Sequence, residues 1–320
     1  MVWVHKELEQ YWRNMPNLKA YRDLKVECPT APYTLFVEPT NHCNLKCTFC
    51  PQKDQERSLG FMDLKLYQSL VEEASNIGVK KFNLFFLGES LMHKSLFEMI
   101  SMANNAGIQT RLNTNASFLD EKRAEQLLAT GLDYLTISFE GVNKEIYERL
   151  RVKGNFEKTS ENIKNVIDLK RRKDTSTKIS IEIIDLPETT PYMKEFTQRM
   201  RSYGPDEIVT KVYRNWIGYL RAQKSLSLED HYNVCSYPWR SMALLWDGTF
   251  VPCCVDYDGR YPLGHVKDGI MNAWNGKPML SLRQYLIDRK TDLRSDHGQK
   301  SCHGLCSVCD IPFQADDHNL

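Results

Sequence analysis

The sequence predicts an α/β fold, an open partial (β/α)6 TIM-like barrel with a small cysteine-bearing domain behind it, and three observations support that expectation. Strand-like and helix-like patterns alternate six times between residues 33 and 214, the pattern of a parallel sheet with right-handed crossovers. Beyond residue 214 the alternation stops and a hairpin signal takes over. The cysteines, apart from Cys28, fall in two groups, Cys43 to Cys50 and Cys235 to Cys309, with none from residue 51 to 234.

Residues 1–32 read as an amphipathic leader, with Trp3, Leu8, Tyr11, Trp12 and Leu18 set among charges. Apolar, β-rich runs follow at 33–38, 82–87, 109–113, 134–139, 179–184 and 207–213. Helical periodicity fills the gaps at 63–77, 96–106, 120–129, 156–172 and 190–203, with Asp63 and Asp120 as natural N-caps. Six strands are too few to close an eight-stranded barrel, so the expected sheet is open, with its active site at the carboxyl ends of the strands. Residues 215–233 read as a connection. Two short strands, 243–246 and 249–255, are joined by Asp247-Gly248, a hairpin turn pair, and one helix over 270–289 precedes a polar tail. The expected division is a leader (1–32), a core domain (33–214) and a linker with its small domain (215–320).

Lys and Arg total 42 against 41 Asp and Glu, a net charge of +1. That balance offers no basic field for nucleic acid and no polybasic membrane patch. The run Lys170-Arg171-Arg172-Lys173 reads as the solvated end of a helix. The amino terminus lacks the hydrophobic block of a signal peptide, and no apolar stretch reaches the length of a span, so a cytoplasmic protein is expected. Disulfides are disfavoured in that compartment, and ten cysteines there point to metal or redox chemistry.

Cys43-Asn-Leu-Lys-Cys47-Thr-Phe-Cys50 follows the first strand directly. Three closely spaced thiolates on one loop can hold one face of an iron–sulfur cubane and leave one iron without a protein ligand. Structural zinc wants four ligands, and His42 is poorly placed to be the fourth. The C-x3-C-x2-C spacing, with Phe49 before the last cysteine, resembles the radical S-adenosylmethionine (SAM) superfamily. The resemblance covers about residues 33–310 and implies a [4Fe–4S] cluster that binds SAM. Reductive cleavage then yields a 5′-deoxyadenosyl radical that takes hydrogen from substrate. It also implies a flavodoxin or ferredoxin-type reductant.

Further residues carry the same resemblance. Leu87-Gly88-Glu89, ending the second strand, is similar to the Gly-Gly-Glu motif that binds the SAM ammonium, with the first glycine replaced. A carboxylate facing an ammonium is physically sensible. Asn113 and Asn115 after the third strand are placed for the ribose, or are turn-forming asparagines. Ser138 and Arg151 stand where relatives contact the ribose or carboxylate of SAM, and a guanidinium suits a carboxylate. Glu182 on the fifth strand is a further candidate, or lines the core.

In the second group, the pair Cys306-Ser-Val-Cys309 joins the distant Cys235 and Cys253. Four ligands make a closed site, for zinc or for a cluster. The stretch Cys235-Ser-Tyr-Pro-Trp, Trp246-Asp-Gly248, Cys253-Cys254 and Cys306 to Cys309 resembles a SPASM or shortened "twitch" extension, which carries auxiliary [4Fe–4S] clusters. The full pattern uses seven or more cysteines, and six are present. One auxiliary cluster on Cys235, Cys253, Cys306 and Cys309 is therefore expected, with Cys302 and His303 an alternative ligand choice.

Relatives with one auxiliary cluster imply two reactions. One is alcohol oxidation, as in the 2-deoxy-scyllo-inosamine dehydrogenase of aminoglycoside biosynthesis. The other is epimerisation of a sugar carbon, for which Cys254 and Cys302 are the spare thiols; Cys254 also reads as a buried small residue beside the cluster. The leader of 32 residues is shorter than the leader-binding domain of many peptide-modifying relatives, which favours a small sugar, cyclitol or nucleoside-like molecule without excluding a peptide. Tyr213, Arg214 and Trp216 follow the sixth strand and suit a hydroxylated or phosphorylated ligand, or serve domain packing.

Overall fold

The computed structural model describes residues 15–213, 232–291, 304–307 and 309. Its strands are β1 (Thr34–Val37), β2 (Lys46–Cys47), β3 (Lys81–Asn83), β4 (Gln109–Thr114), β5 (Tyr134–Ser138), β6 (Arg151–Val152), β7 (Lys178–Asp185), β8 (Glu207–Val212), β9 (Ser241–Leu244), β10 (Thr249–Val251) and β11 (Gly264–His265). Nine of them form one sheet in the order β11-β10-β9-β1-β3-β4-β5-β7-β8, and β2 pairs with β6 in a separate ribbon. From β9 through β1 to β8 every pairing is parallel, and β9–β10 and β10–β11 are antiparallel. Among the described residues β8 and β11 stand at the two ends of this order, as expected of an open barrel. No helix among them is long and apolar enough to cross a membrane.

The helices form where the caps predict. Asp63 accepts hydrogen bonds from the amides of Lys65 and Leu66 to open the helix Leu64–Ile77, and Asp120 accepts from the Arg123 amide to open Glu121–Leu128. Asn143 and Asn155 cap Lys144–Leu150 and Phe156–Lys173 in the same way. One face of the sheet buries Leu112, Leu135, Ile137, Ile179, Ile181 and Ile183 in the core that the helices also line. The other face is polar. Arg111, Thr136 and Glu182 meet there, with Arg111 donating to the Thr136 hydroxyl (3.1 Å) and the Glu182 carboxylate (3.0 Å). Lys211 pairs with the other Glu182 oxygen at 2.5 Å.

Three expectations change. The helix placed over 270–289 is two, Ile270–Trp274 and Lys277–Thr291. Pro278, which lacks an amide hydrogen and so fits only the start of a helix, is the second residue of the second one, and between the two a side chain on Gly276 would collide with the Asn272 carbonyl. Of the leader, Trp3, Leu8, Tyr11 and Trp12 lie outside the described residues; the part from 15 onward packs against the carboxy-terminal region. Leu18 is fully buried, and the Trp239 indole donates to the Lys25 carbonyl. Arg283, fully buried, donates to the carbonyls of Val26 and Pro238. The hairpin strands expected over 243–246 and 249–255 form at Ser241–Leu244 and Thr249–Val251, and β9 pairs in parallel with β1 within the main sheet.

Lys81, on β3, is 4% exposed with its ammonium 4.8 Å from the Tyr134 ring centre. Burial pulls its pKa down to about 7, the Arg111 charge adds to the fall and Asp133 opposes it. Between that value and about 10.4 the unfolded chain holds a proton that the native chain lacks, so native stability rises with pH across this window. Lys81→Met removes the penalty of burying the charge. Its expected stability exceeds that of wild type at pH 6.5 by about a few kcal/mol at most, with a higher melting temperature, and the gain shrinks toward pH 9.5. Thermal melts across that range check this, and a constant difference contradicts it.

Candidate active site and cysteine centres

The first cysteine loop leaves β1 and is tied down from three sides. Asn41 donates to the Ser58 carbonyl (2.9 Å) and Gln52 to the Asn41 carbonyl (3.1 Å). The His42 carbonyl accepts from the Glu89 amide at 2.8 Å. At Gly88 a Cβ would lie 2.2 Å from the Thr40 carbonyl oxygen, so only glycine lets the end of the β3 loop meet the cysteine loop. Cys47 lies in β2, whose pairing with β6 sets it opposite Arg151.

Cys43, Cys47 and Cys50 come together. Burial pushes the thiols of Cys43 and Cys50 up, to about 11 and about 12; Glu89 and Cys47 add to the rise at Cys43, Cys47 and Cys43 at Cys50, and the amides of Leu45 and Gln52, respectively, and Arg151 oppose it. Cys47 is raised too, by burial first, against the pull of the Arg151 guanidinium 3.8 Å from its sulfur. Buried thiols of this kind become thiolates when they ligate metal. Arg151 is itself buried, lies 5.5 Å from the Phe49 ring centre and donates to Glu140. Burial lowers its pKa, but Glu140 and Cys47 raise it by more.

Glu89 is 3% exposed, and its carboxylate accepts from the Leu91 amide (3.0 Å), the Thr114 hydroxyl (2.8 Å) and the Asn115 amide (2.7 Å). Burial raises its pKa against those bonds, which is the state that a bound ammonium would relieve. The Asn115 side chain donates to Asn44 at 3.0 Å, inside the cysteine motif. Asn113 keeps a buried amide oxygen with no hydrogen-bond partner, an acceptor waiting for a donor such as a hydroxyl. Ser138 closes β5 and pairs in register with Glu182, whose carboxylate is held by Arg111 and Lys211. Tyr213 follows β8 half-buried, with its pKa raised by burial. Arg214 and Trp216 lie outside the described residues.

Cys235, Cys253, Cys306 and Cys309 line one small cavity of about 30 Å³ whose other walls are Tyr237, Pro238, Pro252, Val255, Leu282, Leu286 and Leu305. Burial, with the neighbouring thiols adding to it, holds Cys253 and Cys306 well above the ordinary thiol range. Arg289 anchors the short helix Gly304–Ser307 by donating to the carbonyls of Cys306 (2.5 Å) and Ser307 (3.0 Å). Cys254 is half-buried beside Cys253 and does not line the cavity. Cys302 and His303 lie outside the described residues. Among the described residues no three His, Cys, Asp or Glu side chains converge as ligands of a single ion. Four thiols around an apolar cavity, and three on a loop facing a carboxylate and an arginine, suit clusters rather than one ion.

Sequence reasoning missed Glu140, Thr114, Asn44 and Arg111. Glu140 was findable as the carboxylate just past the end of β5; Thr114 and Asn44 bond locally and carry no motif.

Residues 37–200 match the radical SAM superfamily, and residues 235–310 match the SPASM family, described as an iron–sulfur cluster-binding domain. The PqqA peptide cyclase of Gluconobacter oxydans is 31% identical over 123 residues, 38% of this chain and 34% of that protein, so the match spans about a third of this relative. The crystal structure of BtrN in complex with AdoMet and 2-DOIA superposes with a TM-score of 0.57 at 19% identity, covering 87% of this chain and 92% of BtrN. Streptococcus suis SuiB bound to its precursor peptide SuiA gives 0.66 at 16% identity, over 95% of this chain and 75% of SuiB. With half of its length matched by that core, the chain belongs to the radical SAM superfamily, carries a SPASM iron–sulfur domain behind its barrel, and uses SAM, a SAM-binding [4Fe–4S] cluster and auxiliary iron–sulfur as cofactors.

Proposed function

We propose that the protein oxidises an alcohol carbon of a small hydroxylated substrate of the sugar, cyclitol or nucleoside kind, and passes an electron to one auxiliary cluster. In this reading Cys43, Cys47 and Cys50 hold the SAM-binding cluster, Glu89 receives the SAM ammonium, and Asn113, Asn115 and Ser138 face the ribose. Arg151 is kept beside Cys47 by Glu140 and tunes the negative charge of the thiolates. SAM cleavage on the cluster supplies the radical that takes hydrogen from the substrate. Cys235, Cys253, Cys306 and Cys309 hold the auxiliary cluster, and the division into leader (1–32), core (33–214) and cluster domain (215–320) follows from that assignment.

The observation that carries the reading is the single cavity lined by four thiols. A cluster with all four irons ligated has no open iron for substrate, which leaves it electron transfer as its chemical role. The polar sheet face around Arg111, Glu182 and Lys211, with Tyr213 and Arg214 after β8, suits a hydroxylated molecule. BtrN, a structural neighbour that holds 2-DOIA, supports the substrate class.

A second reading is peptide modification, favoured by the coverage of SuiB with its precursor peptide and by the identity to a peptide cyclase. A third is epimerisation, with a Cys254 or Cys302 thiol returning hydrogen. Incubation with SAM, dithionite and a panel of amino cyclitols that includes 2-DOIA separates them by product mass. Loss of two hydrogens with equimolar 5′-deoxyadenosine is the expected result. A mass unchanged in H2O and raised by a single deuterium in D2O marks the epimerase, and turnover of peptides alone overturns the small-molecule reading.

A further inference from the structure

We infer that Asn83 recognises a ring hydroxyl of the substrate, and that this substrate is a cyclic polyol held in the barrel lumen with a C–H face toward Phe36 and Phe86; this rests on the small hydroxylated substrate proposed above. Asn83 ends β3, in register with Phe36 of β1 on one side and Arg111 of β4 on the other. Side chains alternate between the faces of a strand, and registered neighbours share a face. Asn83 therefore stands on the lumen face with Arg111, opposite the core that takes Phe82 and Leu112.

A carboxamide is an unusual residue for that position. Asn83 is 8% exposed, and its amide oxygen is buried with no hydrogen-bond partner among the described residues. Buried polar atoms in native folds are nearly always paired, and an exception asks for a ligand or another specific role. Asparagine is also depleted in strands, so sheet formation does not call for it here. Asn113, two residues beyond Arg111 on the same face, has a second buried amide oxygen without a partner. Asn113 is assigned above to the ribose, and Asn83 pairs one layer deeper, at the level of Arg111.

The donor that suits Asn83 is neutral. Arg111 flanks it in register, and Lys81 lies two residues back on the same face of β3, so a substrate ammonium would meet two basic side chains. Glu182, the carboxylate of this wall, has both oxygens taken, by Arg111 at 3.0 Å and Lys211 at 2.5 Å. A hydroxyl brings no charge into that field and can donate to a carbonyl oxygen.

The lumen has a second wall of opposite character. Ala243, Leu245 and Val251 form an apolar cluster of their own, separate from the main core, with Phe36 and Phe86 packed on it. The Phe85 ring meets Phe36 edge-on at 5.8 Å. Phe36, Phe85, Phe86 and Arg111 are each partly exposed, although β1 and β4 lie within the sheet. The space between the walls is thus accessible, and Asn83 stands at the seam where they meet. A ring with C–H bonds on its face and hydroxyls on its rim matches an aromatic wall beside a few fixed polar groups.

The test uses the full chain with its clusters loaded and SAM bound, without reductant, so that nothing turns over. Titration calorimetry with cyclitols, sugars and nucleosides, 2-DOIA among them, supplies the tightest binder of wild type as the probe. Asn83→Leu, close to isosteric, is expected to weaken the probe about tenfold and to leave SAM affinity within about twofold of wild type. Without the probe this variant is expected to melt a few degrees above wild type, because an apolar group replaces an unsatisfied buried one. Asn83→Asp, which keeps an acceptor, is expected to bind the probe within about threefold of wild type. Unchanged probe affinity in Asn83→Leu, or a lower melting temperature, overturns the role of Asn83 and leaves the small-molecule reading standing. An Asn83→Asp variant as weak as Asn83→Leu overturns the acceptor role. Failure of wild type to bind any member of the panel, with SAM still bound, overturns the small-molecule reading itself.

Discussion

Alanine at Cys47 is expected to take 5′-deoxyadenosine formation to background with any reductant. Cys47 is held by the β2–β6 pairing and by Arg151, and the Thr48 amide bonds the Leu150 carbonyl at 2.9 Å just beyond it. The loop geometry therefore survives the substitution while one of three thiolates is lost. Loss of an outer partner of a metal ligand already costs about 10–100-fold, so loss of the ligand itself removes the activity. The readout is 5′-deoxyadenosine from SAM under dithionite, with circular dichroism to show that the fold is kept. Retention of more than about a tenth of wild-type activity would remove Cys47 from the ligand set.

The second large effect is at the other centre. Cys253→Ala with Cys306→Ala takes two thiols from the cavity wall and leaves its apolar residues Leu282, Leu286 and Val255 in place. Iron content is expected to fall by about half. SAM cleavage is expected to continue, because Cys43, Cys47, Cys50, Glu89 and Arg151 are left in place. Substrate oxidation is expected to stop, because the substrate radical loses its electron acceptor. The check is the ratio of product to 5′-deoxyadenosine, which falls from near one toward zero. A ratio unchanged in the variant would contradict the electron-transfer role of the second centre and favour hydrogen return from a thiol.

Much of this was legible in the sequence because it was periodic or spaced. Apolar runs and N-caps such as Asp63 and Asp120 gave most of the parallel strands and most helices within a residue or two, since cap and period act locally, but the strand expected over 82–87 forms only at Lys81–Asn83. The thiol spacing brought out Cys43, Cys47 and Cys50, and the distant Cys235 and Cys253 with the Cys306 pair. Long-range pairing was not legible. Nothing local marks β9 as the parallel partner of β1, or Lys46–Cys47 as a strand, because a two-residue ribbon has no period to read. The Arg151–Glu140 pair was hidden for a related reason, as its members stand eleven positions apart across loop and helix. The short helix Lys144–Leu150 also escaped, being only seven residues with a single Asn143 cap.

Iron and sulfide content, measured anaerobically on wild type and on a Cys43/Cys47/Cys50→Ala variant, tests the two-centre arrangement most directly. About eight irons per chain falling to about four, with 5′-deoxyadenosine formation lost, is the result expected of one SAM-binding cluster and one auxiliary cluster. About four irons in wild type, all lost in the variant, would contradict it and leave the cavity of Cys235, Cys253, Cys306 and Cys309 without a cluster.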